Sequence, residues 1–448
     1  MKKKIVSSVI AMGLLSTLNA AEDLSSMFSE GKVSGQIRGF SISRTMDYSD
    51  TTKDDYTRSA NAIGGHIKFE TADYAGLSLG TAFYTTNGFA NKSDKTDYTK
   101  VDPTLLGVNN GAYSILGEAY LQYKRGNTVF KAGRQKLATP LAGADDARML
   151  PNLFEAYLMI NSDIENTTLI AGHVTKFAQG TFGRAYNGGL LATTAGYSAV
   201  DSRDRVGEFV NMGDYAVGEK TNGVTVLAAA YKNGTFKAQV WDYYAHDILN
   251  AVYADASVSW TCLLNSSVKA FAAVQVIKEN GIGDKLVKNV AGDGEIDSLF
   301  YAAKLGANVG NFTAYVAFSQ QSDADNATET VNSATISPWG GMPAYTQGMV
   351  TRHMFLAGTT ATKAAVVYKF KDLGLKAVGY YATFSMAANN GYTSDDASET
   401  GFDFIYNTKF AKNLQLRLRG NFADDFNVNT TGDTTGWSEY RFIANYKF

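Results

Sequence analysis

The sequence predicts an all-β protein, an antiparallel transmembrane β-barrel of about eighteen strands. Three observations carry that prediction. Apolar and polar residues alternate with period two, short connections take turns with long polar ones, and repeated apolar stretches of roughly 20 residues are missing. Composition agrees, with 26 tyrosines and 25 phenylalanines beside only 5 prolines in 448 residues. Lys+Arg 41 against Asp+Glu 43 gives no basic field, so nucleic acid is not an expected partner. Cys262 alone makes neither an internal disulfide nor a zinc site with several thiolates.

The chain opens on a processing signal. Lys2, Lys3 and Lys4 precede an apolar run from Ile5 to Leu15, followed by Leu18-Asn19-Ala20. A positive start, a short apolar middle and a small-residue exit describe a secretory signal peptide. Cleavage after Ala20 is expected, leaving residues 21–448 as a single barrel domain outside the inner membrane.

The strands follow by alternation. Leu414, Leu416, Leu418 and Phe422 share one face, opposite Gln415, Arg417, Arg419 and Asn421. Tyr440, Phe442, Ala444, Tyr446 and Phe448 oppose Glu439, Arg441, Asn445 and Lys447. Leu299, Tyr301, Ala303 and Leu305 oppose Phe300, Ala302 and Lys304, while Ile63 and Ile67 oppose His66 and Lys68. Segments near 114–124, 312–321, 362–370 and 402–409 behave alike; 167–176 and 259–264 are ambiguous.

A soluble sandwich also alternates, so the connections decide. Short ones are expected at 72–76, 125–127, 161–166, 233–234, 310–311, 371–374 and 411–413. Long ones are expected at 44–60, 85–113, 136–153, 177–222, 278–297, 322–360, 385–398 and 425–437. Strict turn-taking puts every short turn at one end of the sheet, as in outer-membrane barrels. A ten-residue strand rises roughly 33 Å, which a 45° tilt reduces to about 23 Å, close to the apolar band. Pro103, Pro140, Pro151, Pro338 and Pro343 all fall in or beside the expected loops, where no ladder hydrogen bond is lost. A barrel of this size has room for water, so its polar faces are expected to line an aqueous channel.

One stretch carries a family likeness. Lys131-Ala-Gly-Arg134-Gln135, then Thr139-Pro140, then Asp145-Asp146-Ala147-Arg148-Met149-Leu150-Pro151, resembles the OprD family of outer-membrane porins. Ala147 stands where that family usually has serine, and Met149 replaces its first leucine. Weaker similarity runs through 355–384 and 399–448. The resemblance implies an eighteen-stranded porin whose third outer loop folds inward to narrow the pore. The third long connection drawn from alternation, 136–153, is the one bearing this motif. The terminal Phe448 resembles the signal read by the outer-membrane assembly machinery.

An inward loop must satisfy its polar groups inside a wet lumen. Asp145, Asp146 and Arg148 are expected to pair with wall residues such as Arg134. They either face the solute or only anchor the loop, and the motif leaves both readings open. The polar strand faces carry more cations than acids, among them Lys304, Lys363, Arg417, Arg419 and Arg441. Such a row resembles the family's basic ladder for solute carboxylates, and rings of Lys or Arg favour anions in pores generally. The alternative is a rim position against lipid headgroups or lipopolysaccharide, which suits Lys369 and Lys447 best. Acidic residues concentrate in loops, as at Asp54-Asp55 and Asp395-Asp396.

The expected function is therefore passive diffusion of small hydrophilic solutes and ions, carboxylate-bearing ones such as amino acids and organic acids included. No cofactor or metal is implied: His66, His173, His246 and His353 are isolated, and the run Asp293–Asp297 lacks the later ligands of a calcium loop. Homotrimerisation follows only from the resemblance. Two other classes stay open, an adhesive surface barrel with incidental conduction and a barrel-borne hydrolase. No Gly-x-Ser-x-Gly supports the latter.

Overall fold

The computed structural model describes residues 21–90, 97–290 and 295–448. The expected signal segment, 1–20, lies outside the described residues, as do Asp293 and Gly294. The wall begins with β1 (Lys32–Tyr48), β2 (Tyr56–Glu70), β3 (Leu77–Gly88), β4 (Tyr113–Arg125), β5 (Thr128–Gln135), β6 (Leu153–Asn161) and β7 (Thr167–Ala178). A two-residue strand, β8 (Val210–Asn211), pairs only with the outer end of β7. The wall resumes with β9 (Val224–Asn233), β10 (Phe236–Ala245), β11 (Leu249–Thr261), β12 (Val268–Gly281), β13 (Asp297–Val309) and β14 (Phe312–Gln321). It ends with β15 (Thr360–Phe370), β16 (Leu375–Ser385), β17 (Ala397–Asn407), β18 (Leu414–Val428) and β19 (Thr434–Lys447).

Every neighbour pair is antiparallel, and β1 pairs with both β2 and β19. That closure makes an 18-strand barrel with no free edge, the condition under which strands cross a membrane with all backbone groups paired. The last residue joins the seam, since Phe448 and Gly35 exchange backbone hydrogen bonds of 3.0 and 3.2 Å. Alternation sorts the faces as expected. Ile37, Ile63, Ile67, Leu305, Val316 and Phe442 are exposed on the outside. Glu439 and Arg441, on the opposite face, are 0% and 1% exposed.

The connections depart from the expected pattern in instructive places. The loops expected at 44–60 and 425–437 shrink to 49–55 and 429–433, because β1, β2, β18 and β19 continue pairing above the apolar band. Beyond the hydrocarbon the outward face is free to be polar, so alternation fades while the ladder persists; Thr45 and Thr57, for example, bond across the strands at 2.8 Å. The β10–β11 connection is only three residues, 246–248, so one outer loop breaks the turn-taking. It lacks Gly and Pro, and Asp247 supplies the left-handed turn residue at φ 62°.

Candidate solute pathway and constriction

The loop 136–152 turns into the barrel. Leu137, Leu141, Ala142, Met149 and Leu150 are all buried, and Ala142 bridges to Trp339 of the loop between β14 and β15. Asp145, at φ 34°, turns the chain so that neighbouring charges point different ways. Its carboxylate takes the Arg352 guanidinium at 3.1 Å and the Tyr197 hydroxyl at 2.8 Å, both from other loops. Asp146 meets Arg38 of β1 at 2.7 Å and Lys136 at 3.6 Å. Arg148 reaches Glu439 of β19 at 3.0 Å and Thr104 at 3.1 Å, and Arg38 also donates to its carbonyl.

The electrostatics follow from those partners. Burial pushes the Asp146 carboxyl up, but Arg38 and Lys136 outweigh it and hold the group below the usual carboxylate range. Asp102, in the loop between β3 and β4, is balanced the same way, burial against Arg58 and Arg44. Burial alone dominates at His353, which is pushed down to about 4 although its Nε2 lies 2.6 Å from the Phe426 carbonyl. Arg148 is 1% exposed at its side chain, whereas Asp146 and Lys136 are 33% and 40% exposed.

Arg134 is not among these partners. It lies opposite Ala119, on the outward face with Leu121 and Phe130, and its nearest carboxylate is Glu155 at 3.9 Å. The glycine before it, Gly133, is at φ 120°, packed against the Ala119 carbonyl. The expected pairing of Arg134 with the loop motif is therefore corrected: the cation from the wall is Arg38.

The remaining expected cations all face the lumen. Register sets Lys304 and Lys363 on one line either side of Ala317, about 10 Å apart at the usual strand spacing. Lys304 Nζ sits 4.0 Å from the Tyr345 ring centre, and Lys363 Nζ sits 4.4 Å from that of Tyr380 and 2.5 Å from the Gln347 carbonyl. Among the described residues neither has a carboxylate at ion-pairing distance. A second line runs Asp403, Arg419, Arg441 across β17, β18 and β19. Here the cations are matched: Arg417 Nε lies 2.7 Å and Arg419 3.4 Å from Asp403, and Arg441 lies 2.8 Å from Glu439.

Other lumen groups were not legible as such in the sequence. Arg44 also pairs with Glu439, and Lys131 lies 3.6 Å from the Tyr120 ring centre. Glu399 collects the backbone amides of Met349, Val350 and Thr351. The loops 179–223 and 322–359 also enter the barrel, the latter burying Ile336, Trp339, Met342, Met354 and Phe355. That apolar content was the available signal, since a solvated loop has no use for it.

A family model described as an outer membrane porin of the OprD family matches residues 71–448. This chain belongs to the OprD family. No curated protein matches it. Among solved structures, OccK9 (OpdG) of Pseudomonas aeruginosa is similar at TM-score 0.71 and 19% identity, covering 94% of this chain and 99% of that one. A BenF-like porin from Pseudomonas fluorescens Pf-5 gives 0.71 and 14%, covering 93% and 98%. OpdK of Pseudomonas aeruginosa, solved with vanillate, gives 0.69 and 16%, covering 94% and 99%. At these identities the likeness is one of fold. As an OprD-family porin the protein sits in the bacterial outer membrane and forms a channel through which small hydrophilic solutes diffuse.

Proposed function

We propose that the solutes of this OprD-family porin are small carboxylates, guided down the lumen by cations and narrowed at the 136–152 loop. One observation carries the proposal. Lys304 and Lys363 face the lumen on one register line with no carboxylate at ion-pairing distance among the described residues, each set against a tyrosine ring. An unmatched ammonium over a tyrosine ring keeps a net charge to offer a passing anion. Vanillate in OpdK and glucuronate in OccK2 (OpdF) are both carboxylates, which supports the same class here.

Within the inward loop the roles divide by exposure. Arg148 and Asp145 anchor it, while Asp146 and Lys136 present charge to the solute. Arg417, Arg419 and Arg441 hold the wall's ionic lines and contribute less to selectivity, because Asp403 and Glu439 neutralise them. The protein carries out no catalytic step, is exported by cleavage after Ala20, and is assembled through its Phe448 terminus. Lipopolysaccharide and other outer-membrane lipids surround it, and homotrimerisation accords with the family.

The test is the reversal potential of the purified protein in a planar bilayer under a salt gradient. Step conductance with anion preference supports the carboxylate reading. Cation preference would move control to the acidic outer loops. Inserted barrels that do not conduct would bring the adhesive reading forward.

A further inference from the structure

We infer that protonation of His66 raises the positive charge of the constriction and makes the pore's ion selectivity depend on pH; this deepens the proposed function and rests on it. His66 lies on the lumen face of β2, between Gly64 and Lys68 in the alternation. Gly65, at φ 129° against the Gln36 carbonyl, bends the strand there in a way no side chain would allow. The imidazole stacks on the Tyr84 ring with centres 4.9 Å apart and planes 25° apart. It borders a cleft of about 10 Å³, room for about one water, between wall and inward loop, shared with Gln36, Arg38, Lys136 and Asp146. Among the described residues no side chain hydrogen-bonds its nitrogens.

The charged groups around it largely offset one another. Arg38 faces it from β1, and Lys136 and Asp146 from the loop. Glu118 of β4 lies behind Tyr84, whose hydroxyl it accepts at 2.8 Å. On its own strand, Lys68 bridges Glu70 and Glu118 at 3.3 and 3.2 Å. Lys131 of β5 lies over the same Tyr120 ring as Lys68, at 3.6 and 5.2 Å from its centre. Four cations therefore stand against three carboxylates, and a proton on His66 adds to that positive surplus. Imidazole is the only one of these groups whose ordinary value, about 6.5, falls between pH 5.5 and 8. Tyr84, the remaining titratable neighbour, ordinarily ionises near pH 10.

The other histidines do not compete for the role. His353 is buried among Phe384, Tyr392 and Phe426 and stays neutral above about pH 4. His173 and His246 lie on the outward face, alternating with buried Val174 and Ala245. Protonation of His66 thus adds a positive charge beside Lys136 and Asp146, the loop residues proposed to face the solute, and leaves the anchors Asp145 and Arg148 alone. A unit charge about 5 Å from the path in water changes ion partitioning roughly two- to fourfold.

The experiment is the reversal potential of the full barrel under a potassium chloride gradient, read from pH 8 to 5.5. In the unaltered protein the anion-to-cation permeability ratio should rise about four- to sixteenfold as pH falls, because the added charge favours the anion and disfavours the cation by the same factor. His66→Gln should hold the pH 8 ratio throughout, and His66→Lys should hold the pH 5.5 ratio throughout. An unchanged pH slope in His66→Gln, or no slope in the unaltered protein, overturns the role of His66 while leaving the carboxylate reading intact. A slope removed by His66→Gln but with cation preference at both ends supports His66 and overturns the carboxylate reading.

Discussion

From β6 round to β16 the inner wall is mostly apolar and sealed. Leu158, Val174, Trp241, Tyr243, Phe300 and Phe384 point inward and pack against loops 136–152, 179–223 and 322–359. From β17 round to β5 it is mostly ionised, with Asp403, Arg419, Glu439, Arg441, Arg38, His66, Lys68 and Lys131 on the same inner face. One half of the barrel thus holds the plug, and the other half leaves charge next to water. A pore of this width gains selectivity by filling most of its lumen with protein core and leaving a polar margin. Asp255, Glu279, Lys304 and Lys363 are exceptions within the apolar half, and the two lysines end on tyrosine rings.

If the halves differ in role, lesions in them should differ in kind. The largest effect is expected at Glu439, which compensates Arg44, Arg148 and Arg441. Glu439→Ala strands buried cations and should cost on the order of 3–5 kcal/mol, lowering the temperature at which gel mobility changes and unseating the inward loop. Trp339→Ala, in the apolar half, should cost about 3–5 kcal/mol by cavity formation and by freeing the Met212 carbonyl it donates to at 3.0 Å. It should raise single-channel conductance yet leave ion selectivity unchanged. A selectivity change there would dissolve the division between plug and path.

Smaller effects sharpen the contrast between matched and unmatched cations. Lys304→Gln with Lys363→Gln should reduce anion preference about two- to fourfold in reversal potential. Arg417→Gln with Arg419→Gln should reduce it less, since Asp403 already offsets those charges. The reverse order would mean that ion pairing does not govern the ladder. The smallest effect near neutrality is that of acid on the inward loop. Asp146 is held below the usual carboxylate value, so its stabilising contribution is complete above that value and is lost as pH falls through the lowered one. Loosening of the loop, read as conductance noise, should appear only below about pH 4 and not between pH 5 and 8.

Much of the wall was legible in the sequence, because a strand with lipid on one side and water on the other must alternate. Leu418 against Arg419 and Phe442 against Arg441 show how directly that constraint is written. It lapsed where the surroundings stopped imposing it. Above the membrane β1 and β18 run on as polar ladders, and in β10 the inner face is itself apolar at Trp241 and Tyr243. The inward loop was recognised through its motif, yet its partner was misassigned to Arg134. Alternation from Phe130 through Ala132 puts Arg134 on the outward face; that Arg38 is the cation which meets the loop depends on a seam formed by strands far apart in the chain.

By itself the sequence determined a barrel of about eighteen strands, the direction most side chains face, and an excess of cations on the polar side. Those properties are local, set by period two and by the cost of charge in hydrocarbon. Only the tertiary structure decided which cations are neutralised, which loops fill the lumen, and that His66 borders the gap beside Asp146. Those depend on ring closure, which brings β19 beside β1 and carries loops from several strands into one space.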